Sequence, residues 1–472
     1  MKKIVLFTGI LMVSASLLFY RLSELMPFIG DQGWFYLSAR DMLIFGKIPL
    51  VGITSSHIWL HQGPLWTYLL AGSLWIGHFN PIAGGYLSTF IGLLTVGFMY
   101  KLGSEVFSQR VGLIASFLYA TSPLIIFSAR MPYHTSPIPL LTLLLLYFIY
   151  RWINGYPYSF SAIFLLLALL YNFETATFML VPIVFLVFIY GVVKKTQWIK
   201  NIINIKIILL SLLGLLIPMI PMLLYDIHHG YPQTVKFAVW IAYKVATIFG
   251  LPKIHSGELS VSYQSMAFFA STLLQRLLFL PNAIVAWSLL GISVINLIFI
   301  IQKHFKKYMF VQSYSLLLLF FLIPATSYIF ERTNSDAYIL VFYPTVIFML
   351  ALFFDRLMSL QKFYYLIMTL LLCFVFINVF TLFQSNFFVG YPGYSYSFSQ
   401  RIVKVKQILG ESKGQEYNIV GKGAGSQFTS FTMNYAYLAW WFGHEPSRDQ
   451  KKLQFIIRED QGSIQVIKRI KK

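Results

Sequence analysis

Asp31 stands between two glycines in the stretch Phe28-Ile29-Gly30-Asp31-Gln32-Gly33-Trp34, the first polar ground after an apolar N-terminal run. A carboxylate beside Trp34, Phe35 and Tyr36 is partly stripped of water. That favours proton uptake and suits it to act as a general base unless nearby cations oppose the effect. Asp is also a common helix cap, and capping and catalysis are compatible roles. Gly30 and Gly33 let the backbone turn freely around it. The following residues, Trp34 to Phe45, read as a short helix with Trp34, Leu37, Ala39, Met42 and Phe45 available to lie on a membrane surface.

Other polar residues fall into smaller groups. Asp41 follows Arg40 directly, which favours a solvated charge or a local ion pair. Glu24 reads as interfacial and structural. Glu174 sits where two short apolar runs meet, and an acid at that depth is costly without a partner. It would bind a sugar, orient a basic residue, or make a structural hydrogen bond. Arg130 and His134 are four apart and share a face if the helix there extends. Asp226, His228 and His229 could hold a metal, although their spacing fits an outer-loop hydrogen-bonding cluster better.

These residues need elements to position them, and composition says which kind. Of 472 residues, 58% are hydrophobic and 11% charged, more apolar matter than a water-soluble core absorbs. The net charge of +20 comes mainly from short loops between apolar runs and from the tail, so membrane topology explains it better than nucleic-acid binding. Cys373 is the single cysteine, which rules out an intrachain disulfide and a Cys-based metal site. Lys2-Lys3 and the apolar run to Tyr20 are expected to form an uncleaved first helix with its N-terminus in the cytoplasm.

The apolar runs, at about 20 residues per crossing, predict about eleven spans. Pro64 to Phe79 is short and bracketed by Gly63-Pro64 and Asn80-Pro81, and it is expected to lie in the interface. With that choice the basic segments Lys101 to Arg110, Arg151 to Tyr158, Lys194 to Lys206 and Lys303 to Lys307 all fall inside. Asp31, Arg130 to Pro137, Asn172 to Thr175, Asp226 to about Leu280, Glu331 to Tyr338 and the tail fall outside. Residues 1–384 form the membrane domain. Residues 385–472 follow as a polar tail with thirteen Lys and Arg against six Asp and Glu. Ile402, Val405 and Ile408-Leu409 predict a helix there, and Tyr417 to Val420, Leu453 to Ile457 and Ser463 to Ile470 predict strands. Gly421 to Ser426 is glycine-rich but lacks the closing residues of a phosphate loop.

In order and placement, several of these pieces resemble the GT-C glycosyltransferases, the polyprenyl-phosphate-dependent sugar transferases that include aminoarabinose and protein mannosyl transferases. They are Gly30-Asp31, then Ala39-Arg40-Asp41-Met42-Leu43 with Gly46, then Gly63-Pro64-Leu65 after His61, then Ser128-Ala129-Arg130 opening a loop that ends at Pro137, then Tyr225-Asp226 before His228-His229-Gly230. They cover roughly the first half of the chain. The chain departs from the pattern at Gln32, where members often carry a second acid beside the first, and at His134, where members often carry another acid.

The resemblance implies an all-α polytopic fold of GT-C type with interfacial helices in the first outer loop and, in this chain, a small extracytoplasmic α/β domain. It implies transfer of a sugar from a polyprenyl-phosphate donor to an extracytoplasmic lipid, glycan or protein, with inversion and with Asp31 as base. His61, Arg130, His134, Glu174, Asp226 and His229 are the substrate-binding candidates, and His61 and Arg130 are favoured for the phosphate. The other outer-side cations are His57, His228, Lys236, Lys244, Lys253, Arg276 and Arg332, most of them surface charges. Trp59, Trp66, Trp75, Tyr231, Trp240 and Tyr243 read mainly as interface anchors. No cofactor is fixed, and the missing acidic pair leaves a divalent metal open. The expected surroundings are membrane lipids and the cell envelope, without nucleic acid. A glycan polymerase or ligase, or a lipid-linked sugar transporter, are the alternatives; internal repeats, which favour a transporter, are not apparent.

Overall fold

The computed structural model describes residues 2–54, 60–249, 261–305, 312–331, 333–390, 396–423, 425–460 and 462–471. Among them, seven helices are long and apolar enough to cross a membrane. An eighth span results if Gln109–Thr121 and Pro123–Arg130 count as one helix bent by 64°. The bend has a local cause. The Ser122 hydroxyl accepts from the Ile125 N–H, and Pro123 takes the first helical position, where a missing N–H costs nothing. Three further apolar helices, Ile4–Phe19, Ile138–Ile153 and Tyr158–Phe173, are shorter.

Leu65–Ile76 is a separate helix of 12 residues. At about 1.5 Å per residue it reaches roughly 18 Å, short of the ~30 Å hydrocarbon core, which agrees with an interfacial rather than a crossing role. The chain then turns into the 25-residue helix Ile82–Val106. Following the helices end to end puts Asp31, Tyr133, Glu174, Asp226 and Asp336 at one end of the bundle. Lys101, Arg110, Arg151, Lys194 and Lys200 lie at the other.

The first-loop helix runs from Gly30 to Phe45, so it begins before Asp31 rather than near Gly33. Its start is capped by Gln32, whose side chain accepts from the Ile29 N–H at 2.9 Å. Asp31 is therefore free of the capping duty the sequence allowed it. The helix also does not simply float on a surface: Phe35, Tyr36 and Ala39 are buried, while Phe45 is exposed.

The tail folds as expected into an α/β domain. Helix Phe398–Ser412 opens on a capping box, with Ser397 N–H donating to the Gln400 side chain at 2.8 Å and Gln400 N–H to the Ser397 hydroxyl at 3.3 Å. Val405 and Ile408 are buried in it together with Phe398, Arg401 and Ser412, while Ile402 and Leu409 are partly buried. Strands β1 (Tyr417–Lys422), β2 (Leu453–Asp460) and β3 (Ser463–Ile470) form one sheet in that order. β1 and β2 are parallel, with Tyr417 opposite Leu453, and β2 and β3 form an antiparallel hairpin, with Leu453 opposite Ile470. A parallel pair needs a crossover. Helix Met433–Trp441, absent from the sequence reading, supplies it, and its Asn434, Tyr435, Tyr437, Leu438 and Ala439 are buried.

Candidate active site

Asp31 is held from two sides. Its Oδ2 accepts a hydrogen bond from the Tyr133 hydroxyl at 3.1 Å, and its Oδ1 accepts one from the Ser430 hydroxyl. Tyr133 comes from the loop after Arg130, and Ser430 from the C-terminal domain, 399 positions along the chain. Burial first, and then the carboxylates of Asp31, Asp336 and Glu174, push the Tyr133 hydroxyl well above the ordinary tyrosine range. It remains a proton donor at working pH, so the carboxylate keeps its fixed acceptor role toward it.

Gly30 and Gly33 bracket Asp31 for a reason other than turning. Both are in regular helix, without the positive φ that favours glycine. What they provide is space. A Cβ on Gly30 would stand 2.3 Å from the Ser430 carbonyl oxygen, and one on Gly33 2.0 Å from the Asn434 backbone nitrogen. The C-terminal domain thus lies directly against this helix. Asn434 donates to the Phe28 carbonyl at 2.8 Å and Tyr437 to the Phe79 carbonyl at 2.9 Å. Arg40, 2% exposed, pairs with Asp41 and with Glu445 at 2.9 Å and sits over Trp440. The local pair expected for Asp41 exists, and it extends into the second domain.

Beside Asp31 lies a buried polar cluster. Glu174 Oε2 accepts from the Gln62 amide at 2.9 Å and meets His134 Nε2 at 3.2 Å, while Glu174 Oε1 accepts from the Ala176 N–H at 3.2 Å. Of the roles open to Glu174, this geometry matches both a structural hydrogen bond, to Gln62 and Ala176, and the orienting of a basic residue, His134. His134 packs in turn against the rings of Phe35 and Tyr133. Gly63 N–H donates to the Asn172 carbonyl at 2.9 Å, so the His61-Gln62-Gly63 segment rests on the Asn172–Glu174 turn. Removing the Glu174 carboxylate would strand the Gln62 amide and the His134 ring, at about 1–3 kcal/mol for each buried group left unpaired. Glu174→Ala is accordingly expected to lower the melting temperature of the purified protein by several degrees, and Glu174→Gln by less. Melting of Glu174→Ala together with the parent would mean that the cluster does not hold this loop.

The other candidates are placed differently. Arg130 ends its helix, so it and His134 do not share a helical face. Arg130 is fully buried, and its Nη1 donates to the carbonyls of Leu18 at 2.7 Å and Tyr20 at 2.9 Å, closing the end of the first helix. Its Nε and Nη2 have no hydrogen-bond partner among the described residues. His61 gives Nδ1–H to the Gly52 carbonyl at 3.0 Å, which leaves Nε2 for a ligand. Asp226 accepts from the backbone of Gln233 at 2.6 Å and Thr234 at 2.8 Å, and Gln233 accepts from the His61 N–H at 3.0 Å. His228 and His229 bond to the carbonyls of Leu224 and Tyr225, one turn back. No group of three or more potential metal ligands converges among the described residues. His57, Trp59, Lys253 and Arg332 lie outside the described residues, as do Lys306, Lys307, Ala424 of the glycine-rich stretch and the side chain of Lys244.

Asp336 is an acid that the sequence reading passed over. It lines a small pocket with Ser128, Met131, Thr135 and Tyr343. Burial raises its carboxyl above the usual range; backbone N–H groups and His134 oppose the shift, and Glu174 adds to it. The signal available was its parity, an acid in a short loop on the same side as Asp31. Tyr343 also lines an adjoining cavity of about 220 Å³. That cavity is walled by apolar side chains such as Leu273, Leu277, Leu290 and Phe321. Along the first-loop helix a cleft of about 770 Å³ opens toward the C-terminal domain, with Trp34, Ser38, Asp41, Glu445 and Arg448 in its walls. Trp34, Ser38 and Asp41 follow Asp31 at helical spacing along one face of that helix.

This fold has solved counterparts. ArnT from Cupriavidus metallidurans, whose structures include one bound to undecaprenyl phosphate, superposes with a TM-score of 0.61 at 11% identity, over 96% of this chain and 92% of that one. The archaeal oligosaccharyltransferase AglB from Archaeoglobus fulgidus, in complex with an inhibitory peptide and a dolichol-phosphate, superposes with a TM-score of 0.59 at 12% identity. It is matched over 93% of this chain, which spans 63% of the archaeal protein's length. The likeness to both is one of fold. Residues 61–225 match the family model described as dolichyl-phosphate-mannose-protein mannosyltransferase. A search of curated protein sequences finds no match.

Proposed function

We propose that the protein transfers a sugar from a polyprenyl-phosphate donor to an acceptor on the extracytoplasmic face, with Asp31 as general base. The observation that carries this reading is Asp31 itself: a carboxylate fixed by two hydroxyl donors at the end of a membrane bundle, one helical turn before Trp34, where a cleft walled by Ser38, Asp41, Glu445 and Arg448 begins. In the reaction the acceptor oxygen or nitrogen forms a bond to the anomeric carbon while the bond from that carbon to the phosphate oxygen breaks. The leaving phosphate keeps the electron pair, Asp31 takes the acceptor's proton, and one displacement inverts the anomeric centre.

The apolar cavity suits the prenyl chain, and the cleft running along the helix from Trp34 suits the acceptor. His61, as the imidazolium donating through Nε2, and Arg130, through its unpartnered donors, are the groups we assign to the phosphate, whose growing charge such donors stabilise. We place the sugar near the loop that His134 and Glu174 hold together, with Asp226 supporting its outer wall through Gln233, which meets His61, and the exposed His229 at the end of the same helix. A map of the purified protein with bound polyprenyl phosphate tests the assignment. Phosphate density beside His61 or Arg130 is expected, and density at the opposite end of the bundle would overturn it.

Orientation follows from charge. The ends of the bundle away from Asp31 carry Lys101, Arg110, Arg151, Lys194 and Lys200, which the positive-inside tendency assigns to the cytoplasm. In a Cys373→Ser background, a cysteine at the exposed Arg448 is expected to react with an impermeant reagent added to intact cells, and one at Lys200 only after permeabilisation. The reverse pattern would place the site in the cytoplasm.

A further inference from the structure

The C-terminal domain has so far been an appendage on a membrane enzyme, yet it reaches the one carboxylate on which the reaction depends. We propose that Ser430 is a positioning residue for Asp31, so that the C-terminal domain forms part of the reaction centre and not merely a cap over it. The proposal rests on the reading of Asp31 as base and goes a step beyond it.

A carboxylate on a helix can rotate about its side-chain bonds, and a base is effective only while its lone pair points at the proton to be taken. Tyr133 restrains Oδ2 from the membrane domain, which by itself leaves rotation about that contact. Ser430 restrains Oδ1 from the opposite domain, and two donors on two oxygens fix the carboxylate plane. Each oxygen can still accept a further bond, which leaves room for the acceptor proton.

Ser430 is itself well placed to hold still. It is 8% exposed, its carbonyl accepts from the Met433 N–H at 2.8 Å, and that same carbonyl oxygen lies against Gly30. The Asn434 bond to Phe28 and the contact of Gly33 with the Asn434 backbone pin the next turn. The glycine pair that flanks Asp31 thus serves to let the segment carrying Ser430 come within hydrogen-bonding distance of it. A larger residue at either glycine would move the donor away from the base.

The test uses the full chain in lipid nanodiscs, turning over a polyprenyl-phosphate sugar, with four variants. Ser430→Ala is expected to lower kcat about tenfold while donor KM stays within about twofold and the melting temperature is unchanged, a modest share of what misplacing a reacting group costs. Ser430→Thr, which keeps the hydroxyl, is expected to recover most of the rate. Combining Ser430→Ala with Asp31→Asn is expected to cost nothing beyond Asp31→Asn alone, because Ser430 acts through that carboxylate. Several outcomes overturn the positioning role while leaving the base in place: Ser430→Ala at the parental rate beside an inactive Asp31→Asn, a loss carried wholly by KM, a loss that Thr does not restore, or a further tenfold loss in the double variant. Parental activity in Asp31→Asn would instead overturn the base assignment, and the positioning role with it.

Discussion

Asp31→Asn is expected to lower sugar transfer by about 10² or more, the scale on which enzymes lose a general base, while the melting temperature hardly moves. The structure makes this substitution cleaner than the sequence alone suggested. Gln32, not Asp31, caps the first-loop helix, so the helix start does not depend on the carboxylate. An amide at position 31 still meets the hydroxyls of Tyr133 and Ser430. It can accept from one and donate to the other, because a hydroxyl turns to suit its partner. What is lost is the ability to take a proton. Glu24→Gln is the fitting control, since Glu24 makes an exposed pair with Arg21 and should leave the rate as it was. Parental activity in Asp31→Asn would move the base to another acid, with Asp336 and Glu174, which also act on the Tyr133 hydroxyl, the candidates.

Gly33→Val should be as damaging by a different route. The new Cβ would fall 2.0 Å from the backbone nitrogen of Asn434, and backbone cannot swing aside as a flexible side chain can. The C-terminal domain must lift off the first-loop helix, which breaks the Asn434 bond to Phe28 and removes Ser430 from Asp31. Displacing a reacting group by about 1 Å can cost on the order of 10² in rate. We therefore expect transfer to fall at least that far, with the C-terminal domain becoming susceptible to limited proteolysis. Gly97→Ala is the matching control: no atom lies within 4 Å of its Cβ position, so activity should persist. A fully active, protease-resistant Gly33→Val protein would show that the two domains need not touch there.

Much of the architecture was legible in the sequence because it is written locally. Apolar runs, the Gly63-Pro64 and Asn80-Pro81 brackets, and the strand-forming stretches Tyr417 to Val420 and Leu453 to Ile457 each report their own element within a few residues. The choice of Asp31 as candidate base rests on a similarly local signal, an acid among aromatics after an apolar run. Its partners were not. Ser430 lies in Thr429-Ser430-Phe431-Thr432, which has no pattern to distinguish it, and its meaning exists only through a contact 399 residues away. The Met433–Trp441 helix was missed because its buried face is largely aromatic and polar: Asn434, Tyr435 and Tyr437 are buried against the other domain and the sheet, so no simple apolar stripe marks it. The pairing of Glu174 with His134 follows the same logic. Depth told that the acid needed a partner, but only the fold tells which.

Glycines carried a different lesson. At Gly30 and Gly33 the sequence suggests backbone freedom, whereas the structure uses them for close approach in a regular helix. The two uses cannot be separated from residue type alone.

The most direct test of the account is the fate of the donor. The purified protein in sealed vesicles, supplied with a polyprenyl-phosphate sugar and an envelope extract as acceptor, should release free polyprenyl phosphate in step with the appearance of sugar in the acceptor, and Asp31→Asn should abolish both. Donor that crosses the membrane intact, with no free polyprenyl phosphate formed, would contradict the account and identify the protein as a carrier of lipid-linked sugars instead.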